Sequence, residues 1–409
     1  MKPVQVLVRN LPTAKAPTGR MLVESGELTK PGKVTRAKNV VRPTLLGAVL
    51  ATAALAAAAC GSPSGAVGDG ASASGAGINV AQAKKDLDAI IAEPGEISVP
   101  AIGKAIPKGK TISYMTCPVA VCTEVGRGVE EAAKTLGWSV RIVQNNATPI
   151  GYKNAWDQVA QNPGDGVINA GPVLPYSAVE SQMATAGVPV ISSTSPSPVG
   201  GYLKAVIAST DDVRRQGEAV GHWVVQDAGA PVTSVFIHDP SIPALASALP
   251  GYRDAVKKNC PACDVVDLKV SAAQIGPALA QQVVSYLQSN PDVKYAAFGL
   301  GDLATGVPAA IKAAGLSDQV KVTTRAATPA NLEDVKNGGM AVAFTGELYE
   351  SGWRAVDKLA RVLSGAPIGD TYPLGLVRAI TKDNLPSDLT VPYSIPGYEA
   401  SFKKAWNVS

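Results

Sequence analysis

From Lys110 onwards the chain alternates between short runs rich in β-branched residues and longer segments with apolar residues every three or four positions. The short runs predict strands and the longer segments predict helices. Strands are predicted over 110–116, 139–144, 166–171, 188–194, 232–239, 264–270, 293–300 and 320–326. Helices are predicted over 78–94, 124–137, 152–161, 176–187, 212–228, 246–259, 274–289, 303–314 and 329–337.

This order of elements predicts an α/β fold with two doubly wound, Rossmann-like lobes. Strands that alternate with helices of ten to fifteen residues form parallel sheets through right-handed crossovers. Each of the two series has enough strands for a sheet of its own. Ligands of such sheets bind beyond the carboxyl ends of the strands, and we expect those ends to face a common cleft.

The first 59 residues are typical of a bacterial lipoprotein signal peptide. Basic residues such as Arg42 precede an uncharged stretch, Pro43 to Ala59, that is too short and too rich in alanine for a comfortable membrane span. Cys60 follows three alanines and resembles the acylated cysteine of a lipobox, although Ala57 stands where leucine is preferred. The alternative is an ordinary signal peptide with an incidental cysteine. Translation could also begin at Met21.

Residues 60–77, which are rich in glycine, serine and alanine, predict a flexible tether, and 78–108 a helix and linker. The formal net charge of +4 arises in the leader, because residues 1–59 hold nine Lys and Arg against two acids. The rest of the chain is slightly acidic, so no nucleic-acid partner is expected.

Four cysteines beyond Cys60 form two close pairs, Cys117 with Cys122 and Cys260 with Cys263. An exported protein meets oxidants, so two local disulfides are predicted. The alternatives are a thioredoxin-type site at "CPAC" and a zinc site. A redox thiol needs a helix N-terminus, whereas "CPAC" follows a predicted helix, and zinc would require the two pairs to meet in space.

Several fragments in fixed order resemble the type I periplasmic binding proteins of the ribose and galactose kind. They are "KTISYMT", "GVEEAAKTLGW", "AGVPVISS", "AVIASTDDVRRQGEAVGHW", "NPDVKYAAFGLGDLATGVPAAIKAAG" and "ATPANLEDVKNGGMAVAF". The resemblance covers about 109–380 and implies two lobes joined by a three-stranded hinge. It also implies the function of that family, which is to capture a small solute for an ATP-binding-cassette (ABC) importer.

The same resemblance places the lobe boundaries. The hinge crossings fall near Ser209–Asp211, Thr345–Glu347 and Val377–Ala379. The N-terminal lobe would then comprise 109–209 with 347–377, and the C-terminal lobe 211–345 with 378–409.

Ligand-binding residues are expected at the strand ends and the hinge: Thr116, Val119, Gly171, Thr194, Asp239, Asp302, Arg325 and Glu347. The alternative for Asp239, Asp302 and Thr194 is capping at the end of a strand or the start of a helix. Matched with sugar-binding members, the chain lacks most of their polar groups. The first loop is "CPVAVC", and Ala326 stands at an expected aspartate.

Arg325 is the one cationic side chain that we place at a cleft-facing strand end. The planar guanidinium of arginine can donate two parallel hydrogen bonds to a carboxylate, so an aromatic or alicyclic acid competes with a sugar as the ligand. The alternative is a structural ion pair of Arg325 with Asp302 or Glu347.

Catalysis is not expected, because the mature chain holds only His222 and His238 and no nucleophile elbow or Walker-type loop. We therefore predict a monomeric, extracytoplasmic binding protein without cofactor or metal, anchored to the membrane by a lipid on Cys60. Its partners would be a small ligand and the importer's permease with its ATPase. A sensor that presents its ligand to a signalling receptor is the alternative.

Overall fold

The computed structural model describes residues 77–91, 97–146, 148–170, 177–369, 377–390 and 395–409. Its helices are α1 Val80–Ile91, α2 Ala120–Thr135, α3 Pro149–Gln161, α4 Ser177–Ala186, α5 Thr210–Ala228, α6 Ala248–Asn259, α7 Pro277–Ser289, α8 Val307–Ala313, α9 Pro329–Lys336, α10 Leu348–Ser364 and α11 Tyr398–Trp406. Its strands are β1 Thr111–Thr116, β2 Ser139–Gln144, β3 Gly166–Asn169, β4 Val190–Thr194, β5 Leu203–Ala208, β6 Thr233–His238, β7 Asp264–Lys269, β8 Val293–Phe298, β9 Lys321–Thr324, β10 Val342–Thr345 and β11 Arg378–Ile380. The predicted leader, Cys60, most of the tether and Gly171 lie outside the described residues.

Two β-sheets form the centres of two lobes, which confirms the predicted fold class. The N-terminal sheet has the strand order β2-β1-β3-β4-β5 and is parallel throughout. The C-terminal sheet has the order β11-β10-β9-β8-β6-β7 and is parallel except for β11, which runs antiparallel to β10. Apolar clusters cover both faces of each sheet, as a doubly wound fold requires.

The chain passes between the lobes at Ser209, which separates β5 from α5, and again between β10 and α10. Helix α10 packs on α2 and on three strands of the N-terminal sheet, whereas β11 returns to the C-terminal sheet. The third crossing, from α10 back to β11, includes residues 370–376, which lie outside the described residues.

The end of the chain corrects one predicted boundary. We assigned 378–409 to the C-terminal lobe, yet α11 packs in the core of the N-terminal lobe. The Trp406 ring stacks on Trp353 of α10 with centroids 5.4 Å apart, and Trp406 Nε1 donates to the buried Asp357 at 2.9 Å. Burial of the aromatic face of α11 therefore fixes residues 395–409 to the first lobe.

The first helix belongs to the other lobe. Ala83, Leu87 and Ile90 of α1 are buried against α5 and α6. Asp86 of α1 lies 2.8 Å from Lys258 Nζ and accepts from Asn259 Nδ2 at 3.1 Å, so charge and packing both hold the helix. Ile97 and Ile102, which follow α1, are buried in the N-terminal lobe instead.

Both cysteine pairs are disulfide-bonded in the structure. Cys260 follows the carboxyl end of α6 and Cys263 precedes β7, and both side chains are buried. This context lacks the helix N-terminus that lowers the pKa of a redox-active thiol. In the part of the chain that is described, no helix has the length and apolar character needed to cross a membrane.

Close helix packing in the N-terminal lobe depends on two glycines. A Cβ atom at Gly128 of α2 would lie 1.9 Å from the Tyr349 carbonyl oxygen, and one at Gly352 of α10 would lie 2.4 Å from the Val125 carbonyl oxygen. These contacts are with backbone atoms, which cannot rotate away. The absence of a side chain at both positions lets α2 and α10 touch.

We expect Gly352→Ala to destabilise the N-terminal lobe by about 1–3 kcal/mol, because the two helix backbones must move apart. Thermal unfolding would show a midpoint several degrees lower than that of the unmodified protein. Gly200→Ala is the matched control, since a Cβ there meets no atom within 4 Å. An equal shift in both variants would contradict this account of the helix contact.

Candidate ligand-binding site

A cavity of about 90 Å³ lies between the lobes, where several strands end. The N-terminal lobe contributes residues of α2, β4, β5 and α10, and the C-terminal lobe contributes residues of α5 and of the segments after β8 and β9. The branched aliphatic side chains in the lining are those of Val121, Val125, Ile207, Val213, Leu245, Leu300 and Leu348. Within the described residues, no aromatic ring lines this cavity.

Arg325 follows β9 and reaches the cavity from the C-terminal lobe. Its Nε and Nη2 atoms donate to Gln216 Oε1 at 3.1 and 2.6 Å, and Nη1 donates to the Gly299 carbonyl oxygen at 2.6 Å. Burial lowers the pKa of Arg325 to about 10, because desolvation disfavours the charged form. The guanidinium is therefore still a cation at neutral pH.

The ion pair considered for Arg325 is not formed. Among the residues that the structure describes, no carboxylate oxygen lies within 4.0 Å of an Arg325 nitrogen. Glu347 instead pairs with Arg354 of α10, with Oε2 3.4 Å from Nη1. Both side chains are buried and both line the cavity.

Asp302 lies after β8 in the C-terminal lobe and binds the N-terminus of α2 in the other lobe. Its Oδ1 accepts from the Ala120 N–H at 2.7 Å, and its Oδ2 accepts from the Val121 N–H at 3.4 Å. Val119, the N-cap residue of α2, supplies no side-chain acceptor of its own. Asp302 therefore caps a helix across the cleft, a role that differs from both a ligand contact and the predicted cap of its own helix.

Burial raises the pKa of the Asp302 carboxyl even though backbone N–H groups stabilise the charged form. Only 6% of Asp302 is exposed, so the interlobe bond is made in a site that is largely shielded from water. In such a site a polar group that loses its partner is costly, so the pairing of Asp302 with α2 matters for how the lobes meet.

Asp239 and Thr116 lie outside the lining of the cavity. Asp239 Oδ1 accepts from the Ser241 N–H at 2.8 Å and Oδ2 accepts from the Ala272 N–H at 2.7 Å, so its carboxylate joins two loops of one lobe. Thr116 is buried with its hydroxyl directed to the Cys117 carbonyl oxygen at 3.4 Å.

Thr194, Arg325 and Glu347 are the predicted site residues that line the cavity. Val119 is the N-cap residue of α2, two positions before the lining residue Val121, and Gly171 lies outside the described residues. Ser193, beside Thr194, also lines the cavity. Its hydroxyl is buried and has no hydrogen-bond partner among the described residues.

Gln216, Ser351 and Arg354 also bring polar side chains to the cavity and were not predicted. Gln216 lies on α5 and the other two lie on α10, and both helices begin just after a hinge crossing. Their spacing from the crossing is the signal that points to them: Arg354 follows Glu347 by seven residues, two helical turns further along the same face.

In the part of the chain that the structure describes, no three His, Cys, Asp or Glu side chains are grouped so that they could hold a metal ion. The chemistry that the cavity offers is therefore that of hydrogen bonds, charge and apolar contact from both lobes.

The sequence profile of the periplasmic binding protein domain family matches residues 102–367, more than half of the chain. The protein therefore belongs to this family, which consists of extracytoplasmic solute-binding proteins, as the resemblance implied. No curated protein matches the sequence.

Solved structures of low sequence identity share the fold. One is an ABC transporter solute-binding protein from Agrobacterium vitis bound with alpha-D-tagatopyranose, at 19% identity and a TM-score of 0.61 over 69% of this chain and 97% of that one. Another is a Burkholderia graminis C4D1M solute-binding protein in complex with D-arabinose, at 17% identity and 0.60 over 69% and 98%. A third is the XylFII–LytSN complex, at 21% identity and 0.57 over 68% and 99%.

We expect Asp302→Ala to shift the ligand-free protein towards an open arrangement of the lobes. Loss of the cap should cost about 1 kcal/mol, a roughly fivefold change in the ratio of closed to open molecules. The measurement is the distribution of distances between spin labels placed on the two lobes.

Asp318→Ala removes an exposed acid of the same lobe and serves as the control. An unchanged distance distribution in Asp302→Ala, together with a large loss of ligand affinity, would make Asp302 a ligand acceptor rather than an interlobe cap.

Proposed function

We propose that this protein is a lipid-anchored, extracytoplasmic solute-binding protein that captures a small solute in the interlobe cavity and delivers it to an ABC importer. The observation that carries the proposal is the cavity itself, which is built by strand ends and helices of both lobes and holds buried polar groups from each. A solute held there contacts the two lobes at once and favours their closure.

Capture requires that the lobes separate. Ligand cavities of proteins usually enclose about 300–1,000 Å³, whereas this one encloses about 90 Å³. The two hinge segments at Ser209 and at Gly346–Glu347 join the lobes through short, non-helical stretches that can absorb a change in backbone angles. The solute would shift the closed population by its difference in affinity for the two arrangements.

The position of the tether supports anchoring that leaves the cleft free. A Cβ atom at Gly77 would lie 3.6 Å from Ala262, just before β7 begins, and the Asn79 N–H donates to the Asn259 carbonyl oxygen at 2.7 Å. The cavity lies at the opposite, carboxyl ends of the strands. Gly77, where the described chain begins, therefore lies on the side of the C-terminal lobe away from the cavity, which supports an anchor that leaves the cleft free.

The solute class that the structural neighbours support is a sugar or a sugar-like compound, since two of them were solved with a bound monosaccharide. The second candidate function is a sensor that presents its ligand to a signalling receptor. The XylFII–LytSN complex favours this alternative, because a protein of this fold is bound there to LytSN.

Ligand-dependent uptake tests the proposal. We expect that cells without this protein lose high-affinity uptake of its solute, and that the purified protein closes when the same solute is added, as seen by small-angle X-ray scattering. Closure without any effect on uptake, but with loss of a transcriptional response to the solute, would favour the sensor.

We expect Cys60→Ser to move the protein from the membrane fraction to the soluble extracytoplasmic fraction with no change in ligand affinity, because the described residues that line the cavity belong to the two lobes. Detection of the acyl group on Cys60 by mass spectrometry completes the measurement. A Cys60→Ser variant that stays in the membrane fraction would contradict the lipid anchor.

A further inference from the structure

Arg325 keeps hydrogen-bonding capacity that the described residues do not use. A guanidinium carries five N–H donors, and the structure shows three bonds from Arg325: two to Gln216 Oε1 and one to the Gly299 carbonyl oxygen. One N–H on each of the two Nη atoms remains. Since only 4% of Arg325 is exposed and the residue lines the cavity, a group inside the cavity is well placed to accept from them.

The two acids that could neutralise Arg325 are committed to other groups. Asp302 binds the Ala120 and Val121 N–H groups of the opposite lobe, and Glu347 pairs with Arg354. A buried cation without a counter-charge is costly, because its hydration is lost and nothing replaces it. Hydrogen bonds to Gln216 and Gly299 hold the Arg325 guanidinium in place, so it is oriented before any ligand arrives.

Among the described residues, the charged side chains that line the cavity are two arginines, Arg325 and Arg354, and one acid, Glu347. The lining therefore carries a single excess positive charge. A ligand with one negative charge balances it, whereas a neutral sugar leaves it uncompensated and a phosphate dianion overshoots it.

The other polar groups indicate what else the ligand carries. Ser193 supplies a buried hydroxyl without a partner in the described residues, and Thr194 stands next to it on β4. Both face the cavity from the lobe opposite Arg325. A hydroxyl of the ligand can bond there while the aliphatic side chains contact its carbon skeleton.

We propose that the solute is a small hydroxylated monocarboxylate of the sugar-acid class, with its carboxylate on the two remaining N–H groups of Arg325. This inference rests on the proposed function, because it specifies the solute that the cavity captures. Two observations support this class: the structural neighbours bind sugars, and the charge of the cavity lining favours an anion.

Titration calorimetry with matched neutral and acidic compounds tests the inference on the intact mature protein. The compounds are galactose with galacturonate, glucose with gluconate, cyclohexanecarboxylate, benzoate and galactose 1-phosphate. We expect the preferred sugar acid to bind about 10- to 100-fold more tightly than its neutral counterpart, which is the range of one hydrogen-bonded ion pair. The acids without hydroxyls and the phosphate should bind more weakly.

Variants of Arg325 locate the charge. Arg325→Gln should lose about 10- to 100-fold in affinity for the sugar acid and little for the neutral sugar, and Arg325→Lys, which keeps the charge without the fork, should fall in between. Arg253→Gln, a change of the same kind on α6 away from the cavity, should bind as the unmodified protein does. The comparison of compounds on the unmodified protein stands even if Arg325→Gln does not fold.

The outcomes separate the inference from the function that it rests on. A neutral sugar that binds as tightly as its acid, or an equal loss for both in Arg325→Gln, overturns the carboxylate and leaves solute capture intact. Tighter binding of benzoate or of the sugar phosphate overturns the hydroxylated monocarboxylate in favour of that class. Absence of binding by every compound overturns the sugar acid, and the uptake and closure measurements described above then decide whether solute capture stands.

Discussion

The site depends on one constraint, which is the cost of removing charged side chains from water where the apolar ends of the two sheets meet. When the lobes meet, Arg325, Asp302 and Glu347 all leave water, and each needs a partner of opposite charge or a suitable dipole. Asp302 accepts from backbone N–H groups of the opposite lobe and Glu347 pairs with Arg354, whereas Arg325 has only neutral acceptors among the described residues. The proposed binding and closure rest on this unequal distribution of partners.

The same constraint links local structure to the relation between the lobes. Helix α2 begins with a sequence that offers no side-chain cap, so its N-terminus is incomplete within its own lobe. Asp302 completes it only when the lobes meet, and the Cys117–Cys122 disulfide holds the turn that presents these N–H groups. The stability of the N-terminus of α2 in one lobe therefore depends on the position of the other lobe.

Periodicity predicted most of the fold, because long amphipathic helices and buried β-rich strands carry strong signals. It missed β5, β10, β11, α10 and α11. Strands β10 and β11 have only four and three residues, which is too short for a clear alternation. Helix α10 does carry apolar residues at helical spacing, Trp353, Val356 and Leu359, so its signal was present in the sequence and was overlooked. The tail was assigned to the wrong lobe because a single helix such as α11 can complete either core, and only the pairing of Trp406 with Trp353 decides between them.

The site was predicted in part. Strand ends can be located from the sequence, whereas the hydrogen-bond and ion-pair partners of each side chain cannot. Arg325 and Thr194 were found as residues that follow a strand. The bond from Asp302 to α2 joins residues some 180 positions apart, and no local sequence motif marks such a pair. Gln216 carries the same weak signal as Arg354, its position seven residues after a hinge crossing, and that signal was not used.

The separate attachment of α1 and of the segment that follows it sets a geometric limit. Ile90 and Ile91 belong with the C-terminal lobe, whereas Ile97 is buried in the N-terminal lobe. Six peptide units connect Ile91 to Ile97, and a fully extended chain spans at most about 3.6 Å per residue, so these two points can never lie more than roughly 20 Å apart while both ends stay docked. In the proposed opening of the lobes, this chain length would limit how far the attachment points at Ile91 and Ile97 can separate.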